Sequence, residues 1–329
     1  MKTKIVYTLV ATTEETFFEE MWASIYSLRL YEPDREVVVC CDEPTANYIR
    51  SYPKLVNMIT EVVVVPVKED YNKMQRSREI KTNLRELVKG NFLYVDGDTI
   101  FTGTLEGIDT LTCDVAAVPE FNVPLSKYYY RQACISRVKD SFDVDISDAE
   151  RQHNGGVIYA ADTPVAHELY RRWHENWRYA SEEKGRSADQ PPLMKADKEM
   201  GYIVKELSGE YNCQLAMCVE HLFKAKIIHF IHFSILPVPN HPFLNRSIYY
   251  KIKEAKEITP EVSDLIRNCK SAFVTPSAIV DGDTVEFLLS NPGCVFMRIT
   301  REGGILLAIM NKFAGLVGRW YNFIDRHKK

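Results

Sequence analysis

The chain has 329 residues, 46% of them hydrophobic and 26% charged, which is enough apolar material for one large α/β domain or a domain with an appendage. A net charge of −4 provides no global basic field and argues against nucleic acid as a partner. No apolar stretch approaches a membrane span, and the eight cysteines show no zinc-type pairing, so they read as reduced thiols of a cytoplasmic protein.

In chain order, Lys4 to Ala11 reads as a first strand. Its short apolar run meets Glu14 and Glu15 without a cleavage-like site, so it is not read as a leader peptide. A helix opening at Thr12-Thr13-Glu14-Glu15 runs to about Leu30, with acidic residues in its first turn. Glu36 to Asp42 is a second strand, Thr45 to Tyr52 a short helix, and the valine-rich Glu61 to Val67 a third strand of the kind covered on both faces. A helix from Lys73 to Lys89 then feeds the run Phe92-Leu93-Tyr94-Val95. Strand and helix alternating in this way predict a doubly wound, mostly parallel α/β sheet.

The fourth strand ends in Asp96-Gly97-Asp98. In an extended Asp-x-Asp the side chains at i and i+2 point to the same side, so both carboxylates can face one cation at the carboxyl edge of the sheet. Gly97 between them permits close approach of a ligand or backbone. Arg78 and Lys81, three apart on the preceding helix, suit a diphosphate.

Farther on, Val115 to Pro119 is a strand candidate, followed by a tyrosine-rich loop or helix at Tyr128-Tyr129-Tyr130 and an acidic loop from Val144 to Glu150. Gly155 to Ala160 is a strand, and Pro164 to Tyr179 an amphipathic helix whose Trp173 and Trp177 read as core. Lys226 to Phe233 is the last strand before Pro237-Val238-Pro239, which marks a boundary near residue 236 between a domain over 1–236 and an extension over 237–329. The extension reads as helices from Ser247 to Ala255 and around Thr259 to Cys269, a hairpin-like stretch from Ala272 to Leu289 turning at Asp281-Gly282, and a long helix from Gly304 to His327. Ile305, Ile309, Phe313, Leu316, Trp320 and Ile324 share one side of that helix. Its apolar face is wide enough to pack on the main domain or a partner, and its basic end leaves an anionic membrane surface as the other reading.

The ordered series Tyr7-Thr8-Leu9-Val10-Ala11-Thr12, Ser27-Leu28-Arg29, Arg78 and Lys81, Leu93-Tyr94-Val95-Asp96-Gly97-Asp98, Asn154-Gly155-Gly156-Val157, Asp189-Gln190, Tyr211-Asn212 and Ile228-His229-Phe230 resembles the nucleotide-sugar glycosyltransferases of the GT-A fold, most closely the family 8 or glycogenin-like group. It covers residues 3 to about 233. The resemblance implies transfer of a hexose from a UDP-sugar to a hydroxyl acceptor, a glycan or lipid-linked group among the candidates, with retention of configuration. It implies a divalent cation, manganese or else magnesium, held by Asp96, Asp98 and His229, with His232 as the rival histidine. Thr8, Ala11 and Thr12 would line the nucleobase and ribose pocket. Asn154, Gly155 and Gly156 would approach the donor sugar, Asp189 would orient it electrostatically, and Gln190 would lie near the anomeric carbon. Glu120 is a further candidate for sugar contact.

Two features depart from the family pattern: no Gly and Lys-Pro-Trp segment follows the histidine, and His153 stands where a Phe often precedes Asn-Gly. Other readings are an Asp-x-Asp phosphatase, disfavoured because such enzymes begin with the motif, a nucleotidyltransferase, disfavoured because Val10 to Glu14 has no glycine, and a sugar-nucleotide-binding domain without turnover.

Overall fold

The computed structural model describes residues 2–11, 13–128, 130–215, 220–231, 242–270 and 282–327. They form two compact units, one taking in the described residues up to 231 together with 242–270, the other 282–327.

The first unit is built on a seven-stranded sheet: β1 (Lys4–Leu9), β2 (Val37–Cys41), β3 (Glu61–Val64), β4 (Phe92–Val95), β6 (Val115–Pro119), β7 (His153–Ala160) and β8 (Lys205–Glu206), in the order β3-β2-β1-β4-β7-β6-β8. β1, β2, β3 and β4 pair in parallel, as the alternation of strand and helix predicts. β7 enters antiparallel between β4 and β6, which no local pattern announces. Every residue of β2, β4 and β7 is buried, the burial expected of strands covered on both faces.

A second, three-stranded sheet orders β5 (Thr99–Phe101), β10 (Ile227–His229) and β9 (Cys213–Gln214) as β5-β10-β9. β5 starts one residue after Asp98, so the Asp-x-Asp run is the corner between the two sheets. The β10–β5 pair is antiparallel and sets His229 opposite Thr99.

The helices follow their caps. Helix α1 (Phe17–Tyr31) starts later than expected, behind Thr16, whose hydroxyl donates to Glu20 Oε1 at 2.7 Å. Asp42 ends β2 and accepts from the Thr45 N–H at 3.1 Å, opening α2 (Glu43–Arg50). The helix expected from Lys73 to Lys89 is broken. It is α3 (Lys73–Thr82), opened by a reciprocal Asn72/Gln75 capping box and ended at Asn83, with a separate turn at Leu84–Leu87 behind it.

Arg131–Phe142 forms α4, and Pro164–Lys184 forms α5, a turn longer than its apolar pattern and closed by Gly185 at φ 64°. Trp173 and Trp177 are buried, as expected. Gln190–Glu199 forms α6, and α7 (Ser247–Ala255) and α8 (Pro260–Arg267), expected in a C-terminal extension, bury Ile248, Tyr249, Ile252, Val262 and Ile266 in the first unit's core.

The second unit holds α9 (Gly282–Leu289), α10 (Asn291–Glu302) and α11 (Gly304–His327). The hairpin expected up to Leu289 is therefore corrected over 282–289. Val285, Phe287, Leu288 and Leu289 continue as helix, and Ser290 caps α10 by accepting from the Gly293 N–H at 3.0 Å. On the side of α11 read as a packing face, Ile305 is 82% and Phe313 67% accessible. Among the described residues seven cysteines are free thiols. No described helix is long and apolar enough to cross a membrane.

Candidate metal and donor site

The carboxyl end of β4 delivers Asp96 and Asp98, and β10 brings His229 to them across 131 residues of sequence. One ligand atom from each of the three lies within 4.8 Å of the others, and His229 Nε2 stands 3.1 Å from Asp98 Oδ1. Burial favours the neutral imidazole, yet the Asp98, Asp96 and Glu120 carboxylates together outweigh it and raise the His229 pKa. His232, Thr12 and Asp281 lie outside the described residues.

Two carboxylates and one imidazole nitrogen at these separations fit a hard or borderline divalent cation, for which neighbouring ligand atoms stand about 3 to 4.5 Å apart. The floor of this site must be glycine. A Cβ on Gly156 would lie 2.2 Å from His229 Cε1 and 2.9 Å from Asp96 Oδ2.

Beside the cation site lies a charge cluster. Lys81, with 2% of its side chain accessible, is 2.8 Å from Asp189 Oδ2 and 3.5 Å from Asp96 Oδ1, and Arg78 Nε is 3.3 Å from Asp189 Oδ1. Burial pushes the Asp189 carboxyl up, but the Arg78 and Lys81 charges overcome it and hold it well below the usual carboxylate range. Arg78 and Lys81, placed by sequence on a diphosphate, and Asp189, placed on the sugar, are thus one ion-paired group. Gly155 closes against it: a Cβ there would be 3.3 Å from Asp189 Oδ2 and 3.4 Å from Lys81 Nζ.

Gln190, the first residue of α6, donates to Glu120 Oε2 at 2.6 Å, and Asn154 Nδ2 donates to Glu120 Oε1 at 3.1 Å. Burial raises the Glu120 pKa despite those two donors. Thr8, at the end of β1, is 3.2 Å from the Tyr94 hydroxyl, and the Ala11 N–H donates to Thr45 Oγ1 at 3.1 Å. Gly97 lies against the Met21 backbone, its Cβ position 3.4 Å from Met21 N.

Sequence reasoning gave no role to Tyr94. Its hydroxyl donates to Asp96 Oδ1 and its ring carries the Lys81 ammonium 4.8 Å from the centroid. Its place two residues before Asp96 on the same strand face was the available signal. Asn212, given no role of its own, donates through Nδ2 to Asn154 Oδ1, and its Oδ1 stands 3.0 Å from His229 Nδ1.

No protein-family model matches the chain, and no curated protein sequence matches it. Solved structures are similar in fold. Mouse xyloside xylosyltransferase 1 in its apo form is 11% identical at a TM-score of 0.47, over 72% of this chain and 99% of that one. The glycosyltransferase GlyE of Streptococcus pneumoniae TIGR4 is 14% identical at 0.49, over 85% and 67%. The galactosyltransferase LgtC, solved with donor and acceptor sugar analogs, is 13% identical at 0.48, over 80% and 99%. At such identities the likeness concerns the backbone alone.

Proposed function

We propose that this protein is a metal-dependent glycosyltransferase of the GT-A fold, in the family 8 manner, moving a hexose from a UDP-sugar to a hydroxyl acceptor with retention. The observation that carries the reading is the meeting of Asp96, Asp98 and His229 within 4.8 Å, beside the cationic pair Lys81 and Arg78. Asp96, Asp98 and His229 would hold manganese or magnesium, which supplies Lewis-acid help to a departing diphosphate. Lys81 and Arg78 add positive charge on the donor side, and Gly155 and Gly156 let the Lys81–Asp189 pair and His229 pack directly against backbone. Thr8 and Ala11 would bound the nucleoside end. Asp189 would orient the site electrostatically, and Gln190, whose amide donates to Glu120, would lie near the anomeric carbon.

Isothermal titration of UDP with and without manganese, repeated on Asp98→Ala, tests this. Metal-dependent binding lost in the variant supports the reading, followed by hydrolysis of UDP-sugars without acceptor. Binding that ignores both metal and Asp98 overturns it.

The acceptor side of the proposal is a glycan or lipid-linked group reached from the cytoplasmic face of a membrane. Residues 291–329 carry seven Lys and Arg against two Asp and Glu, in a chain with 41 against 45 overall. With Ile309, Leu316 and Trp320 exposed on α11, that segment matches an anionic lipid surface in both charge and apolar area. Co-sedimentation with phosphatidylglycerol vesicles, unchanged by deleting 304–329, would count against it.

A further inference from the structure

Between the sugar end and the cation end of the site runs a chain of buried amides whose hydrogen-bond directions are all determined. The backbone N–H of Gly156 can only donate, and it donates to Asn154 Oδ1 at 2.9 Å. That assignment turns Asn154 Nδ2 toward Glu120 Oε1, a carboxylate oxygen 3.1 Å away that accepts. Asn154 Oδ1 also accepts from Asn212 Nδ2 at 2.9 Å, so the atom that Asn212 turns to His229 is its carbonyl oxygen. Asn212 Oδ1 stands 3.0 Å from His229 Nδ1 and can only accept there. The imidazole therefore carries a hydrogen on Nδ1 whether or not it is charged, and Nε2, 3.1 Å from Asp98 Oδ1, is the nitrogen at which a proton or a cation is held. Asn212 is fully inaccessible and Asn154 and His229 are 5% and 4% accessible, so water cannot take over any link.

We propose that Asn212 and Asn154 are positioning residues that fix the tautomer of His229, with the rigid N–H of Gly156 as the origin of the whole arrangement. The proposal rests on the metal site described above. A cation ligand has to present a lone pair, and a histidine free to place hydrogen on either nitrogen presents Nε2 only part of the time. Here Nδ1 is committed to Asn212 before a cation arrives, so the cation has only a proton at Nε2 to displace. Gly156 thus serves twice: its missing side chain leaves space for the imidazole, and its N–H sets the polarity of the chain that orients the imidazole.

The experiment uses the full-length protein and two readouts. Long-range proton–nitrogen NMR of the metal-free protein reports which nitrogen of His229 is protonated, the signal being assigned by its loss in His229→Gln. Titration with manganese alone, followed by the paramagnetic resonance of the free ion, reports affinity. Wild type is expected to show hydrogen on Nδ1, alone or together with one on Nε2. Asn212→Leu, which removes the acceptor, is expected to lose that preference and to weaken manganese binding tenfold or more. Asn212→Asp, which keeps an acceptor facing Nδ1, is expected to retain the tautomer and to bind manganese far more tightly than the leucine variant. Wild type with hydrogen on Nε2 alone overturns the proposal, as does Asn212→Leu with unchanged tautomer and affinity. Should the leucine variant fail to fold, the wild-type tautomer and the aspartate variant still decide. Wild type that shows the Nδ1–H form but binds no manganese would instead overturn the metal reading and leave the tautomer assignment standing.

Discussion

The indole N–H of Trp173 donates to the backbone carbonyl of Asp189 at 2.8 Å. A core tryptophan of α5 thereby holds the residue that ion-pairs with Lys81 and Arg78, and one turn later Trp177 does the same for the Ser187 carbonyl at 3.1 Å. Packing and site geometry are joined through these two donors. Trp173→Phe keeps a buried ring and removes the donor. It is expected to cost about 1 to 2 kcal/mol of stability, read as a lowered denaturation midpoint at unchanged slope. UDP-sugar turnover should fall more than UDP affinity, because the substitution loosens the segment carrying Asp189 and Gln190 rather than the cation site.

Lys81 is the countercharge for two carboxylates at once. Lys81→Met should destabilise the fold by roughly 3 to 5 kcal/mol, since it leaves Asp189 buried with one cation fewer. Manganese binding should move the other way and tighten several-fold, because Asp96 loses a positive neighbour at 3.5 Å. A thermal melt and a manganese titration on the same sample check both directions, and a loss of both would show that Lys81 serves only the fold.

Gly156→Ala puts a Cβ where the His229 ring and Asp96 now meet. The ring must swing away or β7 must shift, so manganese affinity should fall by about a hundredfold, while far-ultraviolet circular dichroism stays that of the wild type. Unchanged manganese affinity would remove the close packing from the account of the site.

Asp197 on α6 supplies a pH dependence unrelated to the metal. Burial pushes its carboxyl up to about 6, although the Val204 N–H donates to it at 2.9 Å. The folded state therefore holds a proton that the unfolded chain releases near pH 4, and the stability this contributes is complete below pH 4 and lost as pH rises through 6. Asp197→Asn keeps an acceptor for Val204 and does not ionise. The variant should match the wild type at pH 4 and exceed it by roughly 2 to 3 kcal/mol at pH 8, measured by urea unfolding. Equal stabilities at both pH values would refute the shift.

Much of the first half was legible in the sequence. β1 to β4 and their helices follow from apolar runs and caps that act within a few residues, such as Asp42 with Thr45 and Asn72 with Gln75. The Asp96-Gly97-Asp98 corner was legible for the same reason. The end of α3 at Asn83 and the helices α9 and α10 were not, because apolar residues such as those of Val285 to Leu289 fit either period and only the cap at Ser290 distinguishes them.

What the amino-acid sequence determined by itself is the set of local conformations and the chemistry of each side chain: a buried strand ending in two carboxylates, two basic residues one helical turn apart, glycines ahead of a strand. What only the tertiary structure decided is which of these meet. The antiparallel β10–β5 register sets His229 opposite Thr99 and so beside Asp98, the antiparallel entry of β7 slides Gly156 beneath them, and α5 presses Asp189 onto Lys81. The reason is physical. A strand's own sequence sets which faces are apolar, but a shift of one residue in its pairing turns every side chain to the opposite face, and that pairing is chosen by partners more than a hundred residues away.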